Sequence, residues 1–322
     1  MDLGNTGALA AKCLLISFAA FALTFILIKF AGKKLPRDHG KEFAVAGEAS
    51  QGKIRGAGIL MMCVFAAFGG LAGGFSNVVM TCGLAIIFSM LTGYLDDRSE
   101  TPWGELKKGI FDTVICLYTA VTIAINEPDV VGLSFGGTFV SIHPVLYVVL
   151  AAFFLWLMIN AVNCADGIDG LCSGLSINSM AAACVCAVLM DKGAEIIPQC
   201  AVMTAVLLAY LFFNSEPSSV LMGDAGSRPL GLFLGILFLR MGNALFAVPL
   251  CIVLLADGLL GLLKLTVLRV FKTQSFMKGL RTPIHDHLRK NLGVSNAQVR
   301  FRFNLAQILV SALFFCIWCL LS

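Results

Sequence analysis

The chain has 322 residues, 58% of them hydrophobic and only 13% charged, with a formal net charge of +4. With a mean hydropathy of +0.90, it is far too apolar for an ordinary soluble domain. Among the twelve cysteines, the one CxxC spacing, Cys316 and Cys319, lies inside the last apolar run. Most, such as Cys13, Cys116, Cys184 and Cys316, lie inside apolar runs, which marks them as small hydrophobes rather than a disulfide framework or a metal set.

Apolar runs of about twenty residues recur along the chain, each long enough to cross a bilayer as a helix. Lipid leaves no partner for an unpaired backbone group, so the spans must be helical. The alternating ten-residue strands of a membrane barrel are absent. The expected fold is all-α, a polytopic helix bundle of about ten spans in one membrane domain covering residues 1–322. The first span is expected at 12–31. It lacks a small-residue cleavage site and is read as a true span, not a signal peptide. The others are expected at 56–72, 76–94, 108–125, 142–161, 171–190, 196–213, 229–243, 244–268 and 303–321. The eighth and ninth run together, with Met241-Gly242-Asn243 as the break. Loops after spans one, three, seven and nine are basic. The first carries Lys33, Lys34, Arg37, Lys41, Lys53 and Arg55, and residues 269–302 add eight more basic residues. Opposite loops carry little beyond Lys12 and Lys192. The positive-inside rule makes the basic loops cytoplasmic and places both termini outside.

The acids follow the same side. Asp96 and Asp97 close span three in GYLDDR, Asp166 and Asp169 follow span five in NAVNCADGIDG, and Asp224 follows span seven in NSEPSSVLMGDAGS. The other side holds only scattered acids, such as Glu127, Asp129, Asp191 and Glu195. One such Asp reads equally as a helix cap. Five together, in sequence where each charge near hydrocarbon is costly, point to a site. Asp166 and Asp169 are three apart and would share one face of a helical turn, with glycines at 167, 170 and 174 permitting close approach. Asp96 and Asp97 would point about a quarter-turn apart, one for a metal or proton, the other for a neighbour. Carboxylates beside basic loops fit a cation and phosphates together. Mg²⁺ is the natural candidate, since it takes one or two carboxylates plus substrate phosphates, and no His/Cys set has zinc-like spacing. The last loop, RTPIHDHLRKNLGVSNAQVR, brings His285, Asp286 and His287 beside Arg281, Arg289 and Lys290. Histidine donates to phosphate or moves protons near neutral pH, and Arg and Lys neutralise a diphosphate. His39 and His143 carry no such context. Asp257, inside the ninth span, is the exception to the one-sided pattern. A secondary transporter would place its acids at mid-depth in repeated halves, and no inverted repeat is visible.

GYLDDR, NAVNCADGIDG, FNSEPSSVLMGDAGS and PIHDHL, in this order, resemble the polyprenyl-phosphate N-acetylhexosamine-1-phosphate transferase superfamily. Within it they resemble most the phospho-N-acetylmuramoyl-pentapeptide transferase family, over nearly the whole chain. The resemblance implies a Mg²⁺-dependent enzyme of the bacterial inner membrane, with its active site on the cytoplasmic face. It implies UDP-MurNAc-pentapeptide and undecaprenyl phosphate as substrates, lipid I and UMP as products, and a homodimer. By motif it assigns Asp96, Asp97 and Asp224 to catalysis, Asp224 also to the metal. To substrate binding it assigns Lys53, Asn163, Asp166, Asp169, Asn214, His285 and His287. Direct attack by the lipid phosphate and a covalent route through an Asp both stand open. The chain departs from the family pattern in three places. Asp286 replaces the middle histidine of a triplet, Leu221 stands where a Phe often precedes Met-Gly-Asp, and GKIRGAG replaces a TPTMGG-like stretch. Those departures also suit a sister transferase using UDP-GlcNAc. The D-G-x-x-A-R pattern of CDP-alcohol phosphotransferases is missing.

Overall fold

The computed structural model describes residues 3–38, 50–135, 138–272 and 276–321, so His39 and Lys41 fall outside the described residues. The fold is an all-α membrane helix bundle. In chain order it comprises α1 (Leu3–Phe30), α2 (Gly58–Gly73), α3 (Asn77–Arg98), α4 (Glu105–Asn126), α5 (Pro144–Ala165), α6 (Leu171–Leu189), α7 (Gly193–Asn214), α8 (Asp224–Arg240), α9 (Ala247–Leu250), α10 (Ile252–Val270), α11 (Ile284–Leu292) and α12 (Asn296–Leu321). Between α4 and α5 lies an unexpected hairpin, β1 (Gly132–Phe135) against β2 (Thr138–Ser141), antiparallel with Leu133 opposite Val140. Among the described residues, α1, α3, α4, α5, α6, α7 and α12 are each long and apolar enough to cross a membrane. The expected second and eighth spans are shorter, 16 residues in α2 and 17 in α8.

Helix α8 organises the bundle. Every one of its residues is buried, and it packs mainly against α3 and α5. A helix sheathed in protein rather than lipid can carry charge where partners exist. Arg228 pairs with Asp112 of α4, and Arg240 pairs with Glu127 at 2.7 Å. Close approach of α3 to α8 depends on Gly93, because a Cβ there would lie 2.3 Å from the Asp224 carbonyl oxygen. Gly93→Ala must push apart the two helices that carry Asp96 and Asp224. Overpacking of this kind costs roughly 1–3 kcal/mol. We expect a lower melting temperature in detergent together with impaired turnover, and an unchanged melt would contradict the contact.

The continuous ninth span expected at 244–268 is corrected. Residues Ala244–Phe246 form a 3₁₀ turn, α9 follows, and the axis bends by 100° into α10. Pro249 lacks the N–H that a continuing helix would use, and its ring crowds the preceding turn. Cys251 takes φ −133°, outside the helix. Gln307 of α12, fully buried, covers the break. Its Nε2 donates to the Pro249 carbonyl at 3.1 Å and its Oε1 accepts from Val253 N at 3.0 Å. One side chain thus satisfies both backbone groups that lipid would leave bare.

Candidate active site

One end of the bundle gathers the ends of four helices, α3, α4, α5 and α8. Asp96 at the close of α3, Lys108 in the first turn of α4 and Asp224 at the start of α8 meet at one point. Lys108 Nζ lies 2.5 Å from Asp96 Oδ2 and 2.9 Å from Asp224 Oδ2. Asn163 near the end of α5 donates to Asp224 Oδ1 at 3.2 Å and to Ser227 Oγ at 2.8 Å. The other oxygen of Asp96 accepts from Trp103 N at 2.6 Å. Asp97 turns away from Asp96, as their spacing on a helix requires, and accepts from Arg55 Nε at 2.9 Å and Ala225 N at 3.0 Å. Gly223 permits this, since a Cβ there would lie 2.3 Å from Asp97 Oδ2.

Two loops wall the basin. Residues 54–58 pair with residues 219–222 through Ile54 N to Ser219 O (3.2 Å), Leu221 N to Ile54 O (2.7 Å) and Gly58 N to Met222 O (3.0 Å). Leu221 therefore sits in a backbone ladder. Lys53 donates to Ser218 Oγ at 2.8 Å and lies 3.4 Å from Asp169 Oδ2, which also accepts from Ser218 N at 3.0 Å. Arg55 pairs with Asp38 at 3.0 Å as well as with Asp97. Burial works against its charge, but Asp97 and then Asp38 outweigh that and raise its pKa.

Asp166 and Asp169 do not share a helical face. Helix α5 stops at Ala165, and Asp166 with φ −79° and ψ 36° begins a turn that Gly170, at φ 77°, swings into α6. Asp169 reaches toward Lys53. Burial pushes the Asp166 carboxyl well above the usual range. Arg55 opposes that shift, while Asp224, Asp97 and Asp169 reinforce it. Asn214 is 3% exposed. Its Oδ1 accepts from Gly170 N at 2.8 Å and its Nδ2 donates to Val220 O at 2.9 Å, so it staples the two loops rather than facing the basin.

The His-Asp-His segment is helix, not loop. His285 and His287 stand in the first turns of α11 and diverge. His285 is buried, with its backbone N donating to Asp257 Oδ1 at 2.8 Å and Nδ1 bonded to Asp257 Oδ2 at 2.6 Å. Its Nε2 lies against Gly167, where a Cβ would come within 2.4 Å, and 3.7 Å from Asp286. His287 Nδ1 accepts from Arg281 N at 3.2 Å. The structure thus brings Asp96, Asp97, Asn163, Asp166 and Asp224 together. Lys53 and Asp169 flank them, His285 abuts the DGID turn, and His287 lies apart from these contacts. Sequence reasoning missed Lys108, Asp112 and Arg228, and noted Asp257 without its partner.

The donor set around Asp224 suits a hard cation. Two carboxylates converge on one position, held here by the Lys108 ammonium, and Asp166 is crowded by acids. Among the described residues no three His, Cys, Asp or Glu side chains form a complete metal cage. Mg²⁺ usually takes only one or two carboxylates and completes its shell with phosphate and water.

The fold and this site define a multi-pass membrane phospho-sugar transferase. The chain belongs to glycosyl transferase family 4, whose profile matches residues 77–242. It is 34% identical over 312 residues to the phospho-N-acetylmuramoyl-pentapeptide-transferase of Treponema pallidum, covering 91% of this chain and 86% of that protein. The protein of that name from Dictyoglomus thermophilum is 26% identical over 303 residues, covering 92% and 94%. That from Brachyspira hyodysenteriae is 29% identical over 242 residues, covering 71% and 61%.

Proposed function

We propose that this protein transfers phospho-MurNAc-pentapeptide from UDP-MurNAc-pentapeptide to undecaprenyl phosphate, giving lipid I and UMP for peptidoglycan synthesis. The observation that carries the reading is the meeting of Asp96, Asp224 and Asn163 around Lys108, with Arg55 and Lys53 on the rim. Acids for a cation beside bases for phosphates are what transfer between two anions requires, because positioning and electrostatics supply most of the catalysis in this reaction type. The basic loops support a cytoplasmic basin in a bacterial inner membrane. The names of the relatives favour the MurNAc-pentapeptide donor over a UDP-GlcNAc donor.

In this mechanism an oxygen of the lipid phosphate attacks the phosphorus that bears the sugar, and the bond from that phosphorus to UMP breaks. Asp224, with Asp96 beside it, would hold Mg²⁺, which when bound neutralises charge on the diphosphate. Lys108, between Asp96 and Asp224, adds a positive charge at the same point. Lys53 and Arg55 bind them from the loop side, Asp96 orients the lipid phosphate, and His285 is held by Asp257 against the DGID turn. Both oxygens of Asp96, Asp97 and Asp224 are engaged by donors. That supports positioning roles and direct attack rather than a covalent Asp.

The test is an assay of the purified protein with undecaprenyl phosphate and either UDP-MurNAc-pentapeptide or UDP-GlcNAc. UMP release with the first donor alone is expected, and release with UDP-GlcNAc alone would overturn the donor assignment. Asp96→Asn should lower kcat by about 100-fold or more while the protein still elutes as a folded species. Turnover within a few-fold of wild type would make Asp96 structural.

A further inference from the structure

The end of the bundle opposite the acidic basin holds a second feature that the transfer reaction does not use. A crevice of about 240 Å³ opens between α2, α3, α7 and α8. Phe65, Ile86 and Phe233 line it toward mid-helix, and its outer end carries Gln199 and Arg240 beside Phe75, Val79 and Met80. Helix α8 starts at the basin with Asp224 and ends at Arg240. From Phe233 to Arg240 is about 10 Å along the axis at the usual helical rise. The crevice is therefore apolar along its length, with its two polar side chains, Gln199 and Arg240, at the end toward the membrane surface, the profile of an amphiphile standing upright in the leaflet away from the basin.

The polar end is specific. Gln199 is 7% exposed, and its amide lies beside Gly73, whose Cβ position is 3.1 Å from Nε2. Among the described residues its side chain has no hydrogen-bond partner. The amide opens onto the crevice, so a side chain that is otherwise buried presents an unpaired donor and acceptor to whatever fills that space. Arg240 offers no net charge to a ligand. Its Nε donates to both oxygens of Glu127 at 3.1 and 3.0 Å, and Glu195 lies 3.7 Å from Nη2. Lys192 adds one cation and is itself paired with Asp129 at 3.1 Å. Two cations thus face three carboxylates, so an anionic headgroup gains nothing here. What fits is a hydrogen-bond acceptor without net charge, carried on hydrocarbon.

We propose that this crevice binds one glycerophospholipid with a zwitterionic headgroup, one acyl chain lying along Phe65 and Phe233 and an ester carbonyl accepting from Gln199. The test uses the delipidated full-length protein and native mass spectrometry, titrating palmitoyl-oleoyl phosphatidylethanolamine. Gln199→Leu should weaken retention of the first lipid about five- to tenfold, the loss of one hydrogen bond. Gly83→Phe should weaken it at least about tenfold by filling the crevice, since a Cβ at Gly83 meets nothing within 4 Å. On wild type, the dialkyl-ether analogue, which has no ester carbonyl, should bind as weakly as the ester lipid binds Gln199→Leu. Phosphatidylglycerol should bind no tighter than phosphatidylethanolamine. Equal retention of ester and ether lipids by wild type would overturn the proposal whether or not either variant folds. A tenfold preference for phosphatidylglycerol would overturn the headgroup assignment. Wild-type retention by folded Gly83→Phe would show the lipid to be elsewhere.

Discussion

Asp224→Asn is expected to abolish UMP release, lowering turnover by about a thousandfold or more, on the order of 4 kcal/mol in the barrier. Asp224 is where α5, α3, α4 and α8 communicate. Its two oxygens accept from Asn163 and Lys108, and Lys108 in turn binds Asp96. The amide keeps the shape but removes the charge that would hold a divalent cation, and it turns one acceptor into a donor facing an ammonium. The helix itself should survive, because Asp97 still accepts from Ala225 N and all of α8 remains packed. Folding is checked by gel filtration and circular dichroism in detergent, and activity by UMP release across a Mg²⁺ titration. Near-normal release from a folded protein would remove Asp224 from the metal site.

Asp112→Leu should give the largest loss of stability. Asp112 is 4% exposed and Arg228 2%, and they form a buried ion pair between α4 and α8. Removing one partner leaves a guanidinium stranded in a low-dielectric interior, which costs roughly 3–5 kcal/mol. Arg228 Nη1 already has no hydrogen-bond partner, so little else is at hand to compensate. The double variant Asp112→Leu/Arg228→Met should recover most of the loss, because a buried pair exchanged whole for apolar groups is close to neutral. The comparison is made by thermal melts of the three proteins in one detergent. A single variant melting with wild type would show that the pair is solvated or dispensable.

The all-α membrane bundle and the approximate course of its long helices were legible because apolar runs near twenty residues have few alternatives in lipid. The gathering of Asp96, Asp97, Asp166 and Asp224 was legible because acids at one side of a bundle have few innocent explanations. What was not legible arose from pairings between distant segments. Lys108 stands at the start of an apolar run and looks like any basic flank set by membrane topology, yet it completes the Asp96–Asp224 pair. Asp112 and Arg228 each read as a blemish in a span, and only the packing of α4 on α8 makes them a pair. Asp257 stood out as an acid within a span, but its partner His285 lies 28 residues on. Pro249 could have announced the bend at Cys251; the Gln307 side chain that makes the bend tolerable comes from another helix. The turn at 166–170 was misjudged because a three-residue spacing implies a shared face only inside a helix, and Gly170 ends the helical path. The family resemblance supplied Asn214 as a substrate ligand, whereas its amide is engaged by Gly170 and Val220.

The central claim is that Asp224 and its neighbours hold one divalent ion against the donor's diphosphate. Electron paramagnetic resonance of Mn²⁺ added in place of Mg²⁺ to the purified protein with UDP-MurNAc-pentapeptide reads both parts at once. One bound Mn²⁺ with hyperfine coupling to phosphorus, lost in Asp224→Asn, is the predicted result. Mn²⁺ bound equally by the Asn variant, or bound with no phosphorus coupling, would contradict it.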